Sequence, residues 1–310
     1  MINARSKIFI AGHKGMLGSA ILRILKKKGY KNLIIIEKKK LDLRNQSSVK
    51  KFFKKKKPDA VIIAAAKVGG IKANINYPAN FIYDNLQIQT NLISSSYENS
   101  VKRLILFGSS CIYPKDLKKP IRENQILTSH LEKTNESYAV AKIAGIKMIE
   151  AFNRQYKTKF VSLMPCNLFG PNDNYDLQNS HFLPALIKRI LAASKKNKIV
   201  KLWGTGKPLR ELLYVDEVAE ACEYFLRKKT KSDLINIGSP IEMSIKDYAI
   251  KIKNKIDPNV LIKFDNNTKL DGVKRKKLDI SLATRNGWKA KMNFSKALDK
   301  TIEDYKNFQK

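Results

Sequence analysis

Two residues four positions apart, Tyr138 and Lys142, have the types and spacing for acid–base chemistry. Residues at i and i+4 lie on one face of a helix. A neighbouring ammonium stabilises a phenolate and lowers the tyrosine pKa from about 10, so the pair predicts a proton donor that works near neutral pH. Tyr224 and Lys228 repeat the spacing with no second motif nearby, and we interpret that pair as a coincidence of a lysine-rich chain.

A second group of candidate residues, 108–114, follows a predicted buried strand at 103–108. Open parallel sheets bind their ligands at the carboxyl ends of strands. Ser109 in this segment can donate a hydrogen bond to a substrate carbonyl oxygen to which Tyr138 gives a proton. On spacing alone, Cys111 is either a small buried residue or a catalytic thiol.

A glycine turn follows the first apolar run, at residues 7–11, and opens a predicted helix. Gly12, Gly15 and Gly18 have the spacing G-x-x-G-x-x-G. Glycines let backbone N–H groups approach a pyrophosphate, which the positive end of a helix then favours. In this position the turn predicts a dinucleotide-binding site.

The end of the second predicted strand gives conflicting signals about the dinucleotide. Glu37 stands 19 residues after Gly18, where a carboxylate binds the ribose 2′-hydroxyl of NAD. Lys38, the two lysines after it, and Lys14 in the turn suit the 2′-phosphate of NADP instead. Because several cations outweigh one carboxylate, we expect NADP(H).

The elements that must position these residues alternate between strands and helices. Apolar runs predict strands at 7–11, 32–36, 59–66, 103–108 and 160–164, and amphipathic segments predict helices at 16–28 and around 49–55. Buried strands alternating with helices are typical of a parallel sheet covered on both faces. We therefore predict an α/β fold, a Rossmann-type doubly wound parallel sheet with a smaller C-terminal α/β substrate domain.

The alternation loosens after Pro165, which sets the expected domain boundaries. Residues 167–180 are rich in Asn, Asp, Gly and Pro and predict a long functional loop. Residues 213–227 are predicted to be helical and to return to the first domain. We expect residues 1–165 plus about 212–232 to form the dinucleotide-binding domain, and about 166–211 plus 233–310 to form the substrate domain.

The chain of 310 residues carries 61 Lys and Arg against 27 Asp and Glu, a net charge of +34. A basic face of this kind would supply affinity for nucleic-acid phosphates. The lysines, however, are spread along the whole chain, many at predicted helix ends where cations are favoured, and no nucleic-acid-binding motif accompanies them. We expect no nucleic-acid partner and a preference for small anionic ligands.

Cysteine and histidine usage excludes further classes. The three cysteines form no C-x-x-C pair and the three histidines lie far apart, so we expect no disulfide framework and no metal site. No apolar run approaches the roughly 20 residues that span a bilayer, and no signal-peptide pattern opens the chain. Free thiols fit a reducing compartment. We expect a cytoplasmic protein with no membrane partner.

Together these motifs resemble the extended short-chain dehydrogenase/reductase superfamily. More narrowly, the segments GHKGMLGSAI, AAAKVGGI, GSSCIYP, NESYAVAKIAGIK, NSHFLPALI and GTGKPLRELLYVDE are similar to those of the GDP-L-fucose synthase family, over residues from about 7 to 300. The resemblance implies conversion of GDP-4-keto-6-deoxy-D-mannose to GDP-L-fucose by 3,5-epimerisation through enolates and NADPH-dependent reduction at C4. It also implies a GDP-sugar partner and a homodimer formed through helices at about 85–98 and 137–155.

The resemblance implies a role for each catalytic residue. Cys111 is the base and His181 the acid that invert C3 and C5, and both side-chain types reach pKa values near neutral when suitably placed. Ser109 and Tyr138 hold the C4 oxygen. Tyr138, its pKa lowered by Lys142, supplies the proton to that oxygen, and Lys142 also contacts the nicotinamide ribose.

The resemblance also implies two sets of binding residues. Those for the cofactor are Gly12, His13, Lys14, Gly15, Met16, Leu17, Gly18, Lys38, Phe107, Gly108, Ser109, Ser110, Tyr138, Lys142, Pro165, Cys166, Asn167, Leu168 and His181. Those for the GDP-sugar are Arg189, Trp203, Arg210 and Asp271. An arginine fork suits a diphosphate; surface charge is a plausible explanation of Arg189, and Arg210 is the better candidate.

Two alternatives stay open. One is another nucleotide-sugar epimerase or dehydratase on the same fold, which would hold its NAD tightly and need neither Cys111 nor His181. The other is a non-catalytic dinucleotide-sensing or nucleic-acid-binding protein, which would tolerate Tyr138→Phe.

Overall fold

The predicted apolar runs form strands in a computed structural model, which describes residues 2–115, 117, 119–176, 180–196, 199–268, 271 and 273–308. The strands are β1 (Ile8–Ala11), β2 (Leu33–Ile34), β3 (Ala60–Ile63), β4 (Arg103–Phe107), β5 (Phe160–Pro165), β6 (Asn167–Phe169), β7 (Val200–Leu202), β8 (Leu209–Tyr214), β9 (Leu234–Ile237), β10 (Glu242–Ser244), β11 (Ile262–Phe264) and β12 (Arg275–Lys276). The helices are α1 (Met16–Lys27), α2 (Gln46–Lys56), α3 (Ile71–Asn76), α4 (Pro78–Glu98), α5 (Glu136–Tyr156), α6 (Phe182–Ser194), α7 (Val215–Arg227), α8 (Ile245–Ile256), α9 (Ser281–Arg285) and α10 (Phe294–Phe308).

Six of these strands make one parallel sheet in the order β2-β1-β3-β4-β5-β9. The residues of β1, β3, β4 and β5 are all buried, which explains their uninterrupted apolar sequences. The chain moves from β1 to β2 on one side and then crosses back to β3 on the other. That reversal opens a crevice at the carboxyl ends of β1 and β3. The predicted Rossmann-type doubly wound sheet is confirmed.

Helices cover both faces of this sheet because right-handed crossovers in opposite directions place their helices on opposite sides. α1 packs against α7, while α4 packs against α5 and α2. α1 turns Ala20, Ile21 and Leu25 into the core, and its last turn carries Lys26 and Lys27, where the helix dipole favours cations. None of the described helices is long and apolar enough to cross a bilayer.

Two predicted boundaries are corrected by strand pairing. The segment 213–227 is helical only from Val215, because Leu213 and Tyr214 complete β8 and pair with β6. The same pairing makes the first residues of the predicted loop 167–180 a strand, whereas residues 177–179 lie outside the described part of the chain. The helix α7 does return to the first sheet, where it contacts α1 and β4.

The remaining elements surround a second hydrophobic core. β10, β8 and β12 form a mixed sheet to which β6 adds, and β7 pairs with β11. α6 packs on α8, and buried side chains such as Ile187, Tyr248 and Leu298 fill the space between the elements. This region has the α/β character that we expected of a smaller substrate domain.

The expected domain division needs one adjustment. β9 extends the six-stranded sheet beside β5, α9 contacts β9, and Trp288 belongs to the first hydrophobic core. We therefore propose that residues 233–238 and about 278–290 belong with residues 1–165 and 212–232, and that the rest of 166–211 and 233–310 forms the second domain.

The packing of the glycine turn leads to a stability prediction. A Cβ on Gly18 would overlap the carbonyl group of Gly12, whereas a Cβ on Gly15 would meet only that oxygen at 3.6 Å. Because backbone atoms cannot move aside, Gly18→Ala should lower the free energy of unfolding by about 2 kcal/mol or more. Gly15→Ser, which adds a preferred N-cap residue, should change it by less than about 0.5 kcal/mol. Denaturant unfolding of both variants measures the difference, and equal stabilities would contradict the packing argument.

Candidate active site

A cleft of about 570 Å³ lies at the carboxyl edge of the parallel sheet. Its walls come from the glycine turn after β1 and from the segments that follow β3, β4 and β5. Every residue implied for the cofactor lines this cleft except Ser110, which is buried. Among the described residues, no group of three His, Cys, Asp or Glu side chains is placed to hold a metal ion.

Besides Phe9, Ala11 and Ile36, three parts of the cleft wall were not named as site residues in the sequence analysis. They are residues 41–44, residues 64–68, and Asp84 with Ile88 from α4. The rule that ligands bind at strand ends would have found 64–68, because that segment follows β3 directly. The other two parts reach the cleft only through the packing of α4 and the chain after β2, for which the sequence carries no local signal.

The glycine turn fits a pyrophosphate. Gly12 has a φ of +90°, and a Cβ there would lie 2.6 Å from the amide nitrogen of Ala65. The first bond inside α1 runs from Ser19 N–H to Gly15 O, so the three N–H groups before Ser19 have no partner within the helix. The first turn holds no acidic residue and no side-chain cap. These free donors and the helix dipole suit an anion, which is what an NADP pyrophosphate requires.

Ser109 and Tyr138 meet at the end of β4. Ser109 precedes a short 3₁₀ turn, Ser110–Ile112, and its Oγ accepts the N–H of Cys111 at 3.5 Å. Tyr138 enters from the first turn of α5, and Ser109 is close enough to oppose the rise in the pKa of its phenol. The structure therefore brings together the serine, cysteine and tyrosine that the two sequence motifs contributed.

Lys142 is buried one helical turn further along α5. Its Nζ donates to the carbonyl of Phe107 at 2.9 Å and lies 5.8 Å from the centre of the Tyr138 ring. Burial lowers the pKa of Lys142 to about 8. Burial also raises the pKa of Tyr138, so the expected lowering by Lys142 is wrong for this structure. Desolvation of the phenol outweighs the opposing influence of Ser109.

Cys111 and His181 are also shifted away from neutral. Burial raises the pKa of the Cys111 thiol, and Lys276, Ser109 and Lys142 oppose that shift only in part. His181 stands just before α6, and the surrounding protein lowers the pKa of its imidazole. The expectation of a near-neutral pKa is wrong here for Cys111, and both shifts favour the uncharged forms. The thiol of Cys111 and the neutral imidazole of His181 are the forms that these shifts favour.

Lys276 is a site residue that the sequence analysis missed. It lies in β12 opposite Arg210 of β8, and its charge is the strongest electrostatic influence that favours the Cys111 thiolate. Its own pKa is lowered by burial. In the sequence it stands in the run KRKK at 274–277, which looks like a solvated charge cluster, and only the pairing of β12 with β8 brings it inward.

The residues implied for the GDP-sugar form two pairs in the second region, and none of them lines the cleft of 570 Å³. The guanidinium of Arg189 lies 5.6 Å from the ring centre of Trp203, which is 72% exposed. Arg210 donates to the carbonyls of Val273 at 2.7 Å and Asp271 at 3.4 Å. The Asp271 carboxylate is held by Thr205. The structure thus places all four beside β7 and β8.

Comparison with known proteins agrees with this arrangement. Residues 8–238 match the NAD dependent epimerase/dehydratase family. The chain belongs to this family.

Relatives within the NAD dependent epimerase/dehydratase family cover almost the whole chain. GDP-L-fucose synthase 1 of Arabidopsis thaliana is 47% identical over 98% of this chain and 94% of its own length. GDP-L-fucose synthase of Escherichia coli K12 is 41% identical, over 97% of this chain and 96% of its own. Among solved structures, a GDP-D-glycero-L-gluco-heptose synthase from Campylobacter jejuni, crystallised with NADPH, superposes with a TM-score of 0.93 at 34% identity, covering 99% and 100% of the two chains.

The influence of Lys276 on Cys111 can be measured without any substrate. The rate at which a small disulfide-forming reagent labels Cys111 follows the thiolate fraction, so it should still be rising at pH 9.0, the ordinary thiol value. Lys276→Met should move the midpoint of labelling up by about half to one pH unit, and Lys276→Arg should keep the original midpoint. Mass spectrometry locates the label, with Cys222 as the internal control. An unchanged midpoint in Lys276→Met would contradict the assignment.

Proposed function

We propose that this protein is a GDP-L-fucose synthase, which converts GDP-4-keto-6-deoxy-D-mannose to GDP-L-fucose. It epimerises C3 and C5 through enolates and then reduces C4 with NADPH. The observation that carries this function is the cluster of Ser109, Cys111 and Tyr138 beside a dinucleotide cleft, because a simple reductase needs no buried thiol next to its proton donor. The names of relatives at 47% and 41% identity support the same substrate.

The cleft residues account for cofactor binding. NADPH, when bound, supplies the hydride for C4. The N–H groups at the start of α1 hold the pyrophosphate, and Lys14 and Lys38 provide positive charge near the end of β2 for the 2′-phosphate. Lys142 has its ammonium fixed on the Phe107 carbonyl, from where it contacts the nicotinamide ribose.

Ser109 and Tyr138 act on the C4 oxygen. Both hydroxyl groups donate hydrogen bonds to it, which stabilises negative charge on that oxygen in the enolates and during reduction. The raised pKa of Tyr138 keeps the phenol protonated at neutral pH, so it is ready to give its proton to the C4 oxygen. The buried ammonium of Lys142 then stabilises the phenolate that remains.

Cys111 and His181 perform the two inversions. The C4 ketone acidifies the hydrogens on C3 and C5, so a base on one face of the sugar ring can remove each in turn. Cys111 as thiolate takes the proton, and His181 as imidazolium delivers one to the opposite face. Because the free protein favours the thiol and the neutral imidazole, the reactive pair is a minor protonation state. Lys276 enlarges its population by favouring the thiolate.

The second domain holds the rest of the substrate. Arg189 and Arg210 provide guanidinium groups for the diphosphate or the sugar, with Trp203 and Asp271 in the same pocket. Support comes from their arrangement as two contacting pairs, each joining a cation to an aromatic ring or a carbonyl.

The protein assembles as a homodimer through α4 and α5 and works in the cytoplasm. α4 and α5 pack together and leave Tyr97, Val140 and Tyr156 partly exposed, with the rings of Tyr97 and Tyr156 stacked at 4.2 Å. Such a face suits an isologous contact with a second copy.

The cytoplasmic location is supported by three free, buried cysteines.

The first test follows NADPH consumption and product stereochemistry together. Wild-type protein with GDP-4-keto-6-deoxy-D-mannose should consume one NADPH for each GDP-L-fucose formed, as read by absorbance and NMR. Cys111→Ser should give mainly a C4-reduced sugar with the original C3 and C5 configuration, with epimerisation slowed by about 100-fold or more because the general base is lost. Tyr138→Phe serves as the matched variant that slows reduction.

Two outcomes would count against the proposal. Folded wild-type protein that consumes no NADPH would remove the synthase function and favour an epimerase with tightly held NAD. GDP-L-fucose formed by Cys111→Ser at the wild-type rate would remove Cys111 from the reaction.

The pKa shifts predict an unusual pH profile for epimerisation. When the base has a raised pKa and the acid a lowered one, the population with both in the reactive form is constant between the two values. Deuterium incorporation at C3 and C5 should therefore be flat at least from pH 6.5 to pH 9.0, the ordinary imidazole and thiol values. Below the pKa of His181, the imidazole is already protonated and only the thiolate fraction of Cys111 falls, so incorporation should decrease. Above the pKa of Cys111, the thiol is already ionised and only the imidazolium fraction of His181 falls, so incorporation should decrease again. A maximum near pH 7 with a decline by pH 8 would contradict the shifts.

A further inference from the structure

The chain crosses between the two hydrophobic cores at three places that meet at Glu211. The first crossing is in β8, where Leu212 belongs to the second core and Leu213 to the first. The second leaves the six-stranded sheet after β9 and enters β10 of the mixed sheet. The third leaves β12 of the mixed sheet and reaches the first core at Leu278. How the second region is placed against the first therefore depends on what holds these three crossings together.

The side chain of Glu211 joins all three crossings. Glu211 lies in β8 and is 1% exposed. Its Oε1 accepts the N–H of Ser239 at 2.7 Å, two residues after β9 ends. Its Oε2 accepts the N–H of Leu278 at 2.8 Å, two residues after β12 ends. A buried N–H group needs an acceptor, and this one carboxylate supplies it to both of the other crossings.

The close approach at this point leaves no room for another side chain. A Cβ on Gly238 would overlap Oε1 of Glu211. The carboxylate is therefore held between β8 and the chain after β9 by packing as well as by its hydrogen bonds.

The same carboxylate supports a strand that carries an active-site charge. β12 has two residues, of which Lys276 pairs with Arg210 of β8. Glu211 is the next residue of β8, and its bond to Leu278 holds the chain just after the backbone pairing ends. Lys276 is thus fixed by strand pairing on one side and by Glu211 on the other. Its charge is the one that most favours the thiolate of Cys111.

We infer that Glu211 is a positioning residue of the active site, which fixes the charge of Lys276 where it acts on Cys111 by joining the three crossings. A carboxylate is required because it offers an acceptor oxygen to each N–H group. The amide of Gln offers one acceptor and turns an NH₂ group toward the other donor, so one crossing loses its hydrogen bond. The inference rests on the proposed function only in taking Cys111 as the base of the epimerisation.

Cysteine labelling of the protein without substrate tests the inference. Loss of the Glu211 charge would by itself favour a thiolate, so a rise in the labelling midpoint of Cys111 has the sign of a displaced Lys276 and not of the lost charge. Glu211→Gln should raise this midpoint by about half a pH unit, because the bridge between Ile121 and Leu278 still holds part of the segment. In a Lys276→Met background, Glu211→Gln should raise the midpoint no further.

Cys166 reports the charge of Glu211 in the same sample. Burial raises the pKa of the Cys166 thiol, and the charge of Glu211 adds to that rise. Labelling of Cys166 should therefore become faster in Glu211→Gln, while the midpoint of Cys111 moves up. Glu211→Asp keeps the charge but is one methylene too short to reach both N–H groups. It should raise the Cys111 midpoint and leave Cys166 labelling unchanged.

Glu223→Gln is the matched control for the loss of a buried carboxylate. Glu223 is 2% exposed and accepts hydrogen bonds from Lys28, Tyr30 and Arg227, away from the three crossings. Its replacement should lower Tm, because buried donors lose their acceptor, and should leave the Cys111 midpoint unchanged.

The outcomes separate the inference from the proposed function. An unchanged Cys111 midpoint in the folded Glu211 variants would overturn the inference, and Glu211→Asp alone decides it if Glu211→Gln does not fold. Faster labelling of both Cys111 and Cys166 with no change in the Cys111 midpoint would also overturn it, because the fold is then merely loosened. Folded wild type that consumes no NADPH with the GDP-sugar would instead overturn the proposed function.

Discussion

The close approach of β1 and β3 at their carboxyl ends is the constraint on which the rest of the cleft depends. The chain turns at Gly12 in a backbone region that favours glycine, against the backbone of Ala65. Gly18 lets α1 lie directly on this turn, so the free N–H groups of its first turn point to the crevice. The neighbouring strand ends then present Ser109 and the segment after β5 to the same space.

Burial sets the protonation states in this site more strongly than neighbouring charges do. Lys142 is a buried and Lys276 a half-buried ammonium group, and both have lowered pKa values. Cys111 is a buried and Tyr138 a half-buried acid, and both have raised pKa values. A protein interior disfavours every charged form. Desolvation therefore keeps the phenol of Tyr138 protonated and lowers the fraction of Cys111 that is present as thiolate. That suits Tyr138 as a donor and means that Cys111 depends on the lysines around it.

The net charge of +34 is distributed according to two different rules. Most lysines are exposed, and several occupy the last turns of helices, such as Lys54–Lys56 at the end of α2, where they offset the helix dipole. A few are instead drawn to the active site by β-strand pairing or by an acidic partner, as Lys276 and Lys14 are. The number of lysines therefore does not indicate function in this chain, whereas the residue with which each lysine interacts does.

The sequence by itself determined the parallel sheet, the dinucleotide turn and the Tyr138–Lys142 pair, because each is a local pattern of apolar runs, glycine spacing or helical periodicity. It also identified Ser109 and Cys111 through their position after a strand. Only the tertiary structure decided that β9 joins the first sheet, that the charge of Lys276 acts on Cys111, and that Glu37 pairs with Lys14. These contacts join residues far apart in the chain, or choose among several neighbouring lysines. Local propensity and spacing carry no information about such choices, because packing and the pairing of strands make them.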